Sequence, residues 1–93
     1  MNSLYTFIMH YLGGTYIAQA EAETKEQAIR VWLKNLDIKQ IEGFSKRDKE
    51  KAILNDFIND DPALIMGTTN VWCIGILTRK GYAIVNFVKT ERA

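Results

Sequence analysis

Apolar and polar positions alternate through most of residues 4–22, the signature of two half-buried strands. The runs Leu4–Leu12 and Thr15–Ala22 flank Gly13-Gly14, a pair suited to the positive φ of a two-residue hairpin turn. With that turn Leu12 faces Thr15, Tyr11 faces Tyr16, Met9 faces Ala18, Phe7 faces Ala20 and Tyr5 faces Ala22. One side of the hairpin then carries Tyr5, Phe7, Met9 and Tyr11 beside Tyr16, Ala18, Ala20 and Ala22. The other carries Thr6, Ile8 and His10 beside Ile17, Gln19 and Glu21. A one-residue slip would swap the sides of one strand, so the clean segregation supports this register. The aromatic side is the expected core face, and large side chains opposite alanines leave a trough for a helix.

The periodicity then changes. Thr24-Lys25-Glu26-Gln27 has capping-box spacing, which makes Thr24 the N-cap of a helix ending near Leu36 or Asp37. Its apolar stripe is Ile29, Trp32, Leu33 and Leu36, and Glu26 is placed to pair with Arg30 one turn on. Residues 37–44 form a connector whose Ile41 and Phe44 tuck under the helices. Ser45 caps a second helix over residues 46–59, with a stripe of Ile53, Leu54, Phe57 and Ile58. Its first turns are polar all round and are expected to project into solvent. Asn59-Asp60-Asp61-Pro62 stops it, because proline cannot continue the hydrogen-bond ladder. Residues 63–69 read equally as a turn, a short strand or a covering loop.

A second hairpin follows, Asn70–Thr78 and Tyr82–Lys89, around Arg79-Lys80-Gly81 with Gly81 suited to a left-handed position. Here both sides are apolar: Trp72, Ile74 and Ile76 alternate with Val71, Cys73 and Leu77, and Ile84 and Val88 with Ala83, Val85 and Phe87. A strand pair apolar on both sides is covered on both sides. The expected fold is therefore α+β, one domain over residues 1–93 in the order β-β-α-α-β-β. It is a two-layer sandwich: a four-stranded antiparallel sheet with both helices on one face. Trp32, Leu36 and Phe57 should meet Phe7, Met9 and Tyr11 in the core. The strand order is left open.

Composition adds limits. With 47% hydrophobic and 25% charged residues the chain is ordinary globular material. A 10.7 kDa chain buries roughly two thirds of its unfolded surface, enough for a core without disulfides or a structural metal. A net charge of +1 argues against a general polyanion binder. The single cysteine, Cys73, has no internal partner, and a reducing, cytoplasmic setting is expected. The apolar run 4–12 lacks the basic flank of a secretion signal and is too short to cross a membrane as a helix.

Candidate chemistry is sparse, and neither a catalytic residue, a cofactor nor a metal is expected. His10, the one histidine, lies on the outer side of the first hairpin without a placed acid–base partner. Cys73 sits between apolar neighbours as a small hydrophobe. Asp56, Asp60 and Asp61 form an acidic cluster that reads as a helix end, without calcium-loop spacing. Gly13-Gly14 joins two strands and is no phosphate loop. Lys46, Arg47, Lys49 and Lys51, with Arg79 and Lys80 at a hairpin tip, form the one basic candidate for nucleic-acid contact. The stretch GGTYIAQAEAETKEQAI resembles small antitoxin domains of the HicB kind over about the first 36 residues. That resemblance implies a hairpin followed by a helix, and a departure follows: a helix cap stands where such domains carry a proline-glycine-cysteine stretch.

The leading expectation is a non-enzymatic interaction module that forms a homodimer, or docks another protein, through the uncovered side of the second hairpin. Trp72, Ile74, Ile76, Val85 and Phe87 are its candidate interface residues. The alternatives are an antitoxin-like nucleic-acid-associated regulator using the six basic residues, and a small-ligand binder or enzyme with a pocket between helices and sheet. The last would need folding to bring His10, Cys73 or Asp60 and Asp61 together.

Overall fold

A computed structural model describes residues 2–54, 63–65 and 67–90. Strands β1 (Ser3–Tyr11) and β2 (Gly14–Ala22) form the first hairpin, followed by helix α1 (Lys25–Asn35) and a 3₁₀ turn (Ile38–Gln40). Helix α2 is described over Lys46–Leu54, then come β3 (Ala63–Leu64), β4 (Val71–Leu77) and β5 (Tyr82–Thr90). The expected second-helix residues Phe57 and Ile58 and the stop signal Asn59–Pro62 lie outside the described residues. The sheet is antiparallel with the order β2-β1-β5-β4-β3. It therefore has five strands where the pattern predicts four. The addition is β3, whose two residues pair with Cys73 and Trp72 and are too few to show an alternation.

The two hairpins join where β1 pairs with β5, setting Phe7 opposite Phe87 and Met9 opposite Val85. Phe7 stacks on Phe87 at a centroid distance of 4.7 Å and on Trp32 of α1 at 5.0 Å. Around this stack the core gathers Tyr5, Met9 and Tyr11 from β1, Ile29 and Leu33 from α1, and Ile76 and Val85 from the second hairpin. Trp32 and Leu36 meet Phe7, Met9 and Tyr11 there as the helical stripe predicts, and Ile41 and Phe44 of the connector are buried beside them. In α2 the buried apolar residue is Ala52, whereas Ile53 and Leu54 of the expected stripe are exposed.

The first hairpin differs in register from its prediction. Tyr11 pairs with Gly14, Met9 with Tyr16, Phe7 with Ala18 and Tyr5 with Ala20. The turn is Leu12-Gly13, with φ of 47° and 82°, the positive pair that a tight hairpin turn requires. The offset is two residues, so every side chain keeps its face. Leu12, 55% exposed, takes an unusual backbone for a branched side chain, and its methyl groups pass close to Gly43 and Gly81. A Cβ on those glycines would come within 2.6 and 2.9 Å of them. Gly81 does not take the left-handed conformation expected of it, since its φ is not positive. Instead, Thr78 closes the second hairpin: its Oγ1 accepts from the N–H groups of Lys80 and Gly81.

Both expected helix caps form. Thr24 Oγ1 accepts from Gln27 N–H at 3.1 Å, and Ser45 Oγ accepts from Asp48 N–H at 3.0 Å. Glu26 pairs with Lys25 at 3.0 Å rather than with Arg30, and Lys25 Nζ also stands 5.8 Å from the Trp72 ring centroid. This cluster closes the end of the core at Tyr5. Burial pushes the Tyr5 phenol above its ordinary pKa, Glu26 adds to the rise and Lys25 opposes it.

Phe7 is fully buried and touches both the other hairpin and the helix. Phe7→Ala is expected to lower stability by about 3–5 kcal/mol, much of the roughly 5–15 kcal/mol a domain of this kind possesses. Urea unfolding followed by tryptophan fluorescence measures it, and a loss below about 1 kcal/mol would show that the seam is not central to the fold.

Candidate interaction surfaces

Strand parity divides the sheet into two unlike faces. The helices cover the face that bears Phe7, Val85 and Phe87. All five residues expected at an interface belong to this side: Ile74, Ile76, Val85 and Phe87 are buried in the core, and Trp72 is half-buried against it. The correction has a simple cause. An alternation that is apolar on both sides does not reveal which side the helices occupy, and pairing with β1 turns Phe87 toward Phe7.

The outer side of the second hairpin is instead Val71, Cys73, Gly75 and Leu77 beside Tyr82, Ile84, Asn86 and Val88. Leu77 is 77% exposed, Tyr82 58% and Ile84 46%, and Ile17 on β2 is 67% exposed. The Tyr82 ring lies across Gly75, where any β-carbon would collide with it. Ile8, half-buried, lies between Ile17 and Asn86 in the cross-strand row. Among the described residues of this outer face Glu21 is the one formal charge, and it sits on the edge strand. Large aliphatic and aromatic surface without charge is the composition that monomeric proteins keep small.

His10 and Cys73 both lie on this outer face, but on β1 and β4, with β5 between them. His10 is exposed, with Nδ1 at 3.3 Å from Thr15 Oγ1. The Cys73 thiol is half-buried and directed at the Ile74 carbonyl. Asp56, Asp60 and Asp61 are outside the described residues. Among the described residues no three histidine, cysteine or carboxylate side chains group as metal ligands.

The start of α2 is less solvated than its polar sequence implies. Asp48 is only 5% exposed. One carboxylate oxygen accepts from Ser45 N–H at 3.0 Å and the other from Arg79 N–H at 3.3 Å. The pair Ser45 and Asp48 is thus a reciprocal capping box, and Asp48 also fastens the second hairpin's tip to the helix. The Tyr11 hydroxyl extends this joint, donating to the Gly43 carbonyl at 2.6 Å and lying 2.6 Å from Thr78 Oγ1. Lys49 is engaged too: Nζ donates to the carbonyls of Lys34 and Leu36 at 3.0 and 2.9 Å, capping the end of α1.

Of the six candidate nucleic-acid residues, Lys46, Arg47, Lys51, Arg79 and Lys80 are exposed, whereas Lys49 is tied to structure. Arg79 and Lys80 border a cleft of about 580 Å³ together with Gly43, Phe44, Ser45 and Asp48. Both Asp48 oxygens in that cleft already accept backbone hydrogen bonds. Burial acts to raise the Asp48 carboxyl, but the Ser45 backbone and hydroxyl, the Arg79 N–H and the Arg79 charge outweigh it. Its pKa therefore lies below the ordinary carboxylate value.

Among the described residues no helix is long and apolar enough to cross a membrane. No protein-family profile, no curated protein and no solved structure matches the chain.

A carboxyl with a depressed folded pKa contributes stability above its unfolded pKa of about 3.9, and loses it as pH falls through the folded value. Asp48→Asn should therefore be less stable than the native chain at pH 7, by about 1–3 kcal/mol. The difference should narrow below about pH 4. Denaturant unfolding of both proteins between about pH 7 and about pH 2 measures it, and a gap constant across that range would mean the Asp48 charge contributes nothing.

Proposed function

We propose that this protein is a non-enzymatic interaction module that associates with a second copy of itself through its outer sheet face. The observation that supports this reading is the exposure of Leu77, Tyr82, Ile84 and Ile17 on a sheet whose helices lie on the opposite side. Burying them against an equivalent face removes apolar area from water, at roughly 25 cal/mol per Å² before the costs of association. A second copy is the occupant because the face is nearly uncharged and the whole chain carries only +1. Little like-charge repulsion opposes self-association, and a charged partner would find few complementary groups there. A twofold contact of this kind places identical patches against each other, with the second hairpin at its centre.

Leu77→Lys with Ile84→Lys changes exposed positions and should leave the far-ultraviolet circular dichroism unchanged. It should weaken self-association by roughly tenfold to a hundredfold. Light scattering after size exclusion, over a wide concentration range, reads the mass of both proteins. A native protein that stays at one chain throughout would refute self-association, and an unaltered mass in the variant would remove this face from it.

A further inference from the structure

A second surface of different chemistry lies at the edge of the sheet. Among the described residues β2 pairs with β1 alone, so one side of this nine-residue strand presents backbone N–H and C=O groups without a strand partner. Natural edge strands are blunted by lysine, proline, bulges or shortness. At the opposite edge the described part of β3 is two residues long. Strand β2, with the sequence GTYIAQAEA, has neither lysine nor proline, and it pairs with β1 residue for residue without a bulge from Gly14 to Ala22.

The core-facing side of this edge is also open. Ala18 lies opposite Phe7 on the core face, yet it is exposed. A groove of about 400 Å³ runs beside it, between Tyr16 and Ala18 of β2 and Trp32 and Leu36 at the end of α1, with Ile41 of the connector. An edge that no described strand pairs with, flanked by a groove on the core side, defines a slot for one more strand.

We infer that this slot takes β2 of a second copy, antiparallel and related by a twofold axis at Ala18, so that two five-stranded sheets continue into one. Charge and size fit this occupant. With the axis at Ala18 all nine residues pair, Gly14 with Ala22, Tyr16 with Ala20 and Ile17 with Gln19. Glu21, the strand's one charged residue, meets Thr15 and not its own copy, so no like charges are opposed. The bulky Tyr16 meets the small Ala20, and the axis itself falls on a methyl group that lets the backbones approach.

This inference rests on the self-association proposed above and adds a second contact to it. Two separate twofold contacts on one chain build an assembly larger than a dimer. The native protein should therefore exceed the mass of two chains at high concentration. The face variant L77K/I84K should retain the edge contact and measure two chains. Adding Ala18→Lys or Ala18→Glu to it sets like charges against each other on the axis, and each triple variant should measure one chain. Mixing the two triple variants in equal amounts sets A18K against A18E, which should restore the two-chain mass at low salt and lose it in molar salt. That restoration also shows that both variants are folded. A face variant already at one chain, where the native protein associates, overturns the edge contact and leaves the face contact standing. Triple variants that stay at two chains, or fail to pair on mixing, overturn it as well. A native protein of one chain at every concentration refutes both contacts.

Discussion

The contact on which the rest of this structure depends is the stack of Phe7 on Phe87, with Trp32 on its other side. Each ring comes from a different part of the chain: the first strand, the last strand and the first helix. Backbone pairing of β1 with β5 sets the two phenylalanines opposite each other, and the indole then places α1 across the seam. Aromatic pairs of this geometry contribute about 0.5–1.5 kcal/mol beyond the area they bury. Their larger effect is to decide which side of the sheet is inside. Once Phe87 faces Phe7, strand parity carries Val85, Ala83, Ile74 and Ile76 inward and commits Ile84, Tyr82 and Leu77 to the outside.

Smaller polar joints hold the layers in position around that stack. Asp48 ties the start of α2 to the tip of the second hairpin, Tyr11 ties the first strand to the connector at Gly43, and Lys49 closes the end of α1. Each uses a side chain to satisfy backbone groups at a helix end or a turn, where the chain's own ladder leaves them without partners. One layer of helices is thereby fixed to one side of five strands. The opposite side and the β2 edge carry no described helix or further strand, and Glu21 is the one formal charge on either.

Much of this architecture is legible in the residues. The segregated faces of the first hairpin identify its core side, and Thr24 and Ser45 mark the helix starts. The register is harder to read, because turns at Leu12-Gly13 and at Gly13-Gly14 put the same side chains on the same faces. What separates them is which pair takes the positive φ, and that is Leu12-Gly13. The second hairpin offers no comparable cue: with apolar residues on both sides, its inner face depends on β5 pairing with β1. Asp48 and Lys49 look like ordinary solvated helix residues for the same reason. Apart from the Ser45 cap, their partners are the Arg79 backbone and the carbonyls of Lys34 and Leu36, distant in sequence.

The joining of the first strand to the last also sets an order of events during synthesis. Phe7 and Phe87 are eighty positions apart, and at roughly 5–20 residues per second a ribosome needs on the order of 4–16 s to make the chain between them. Once α1 has been made, the first hairpin has its helix but, for the rest of that interval, not the strand that pairs with the other edge of β1. The β1 edge that β5 will take is then open, beside neighbouring nascent chains with the same strand sequence. A nascent-chain binding factor, or simple dilution on the polysome, has its greatest effect in this window, before Phe87 emerges and closes the seam.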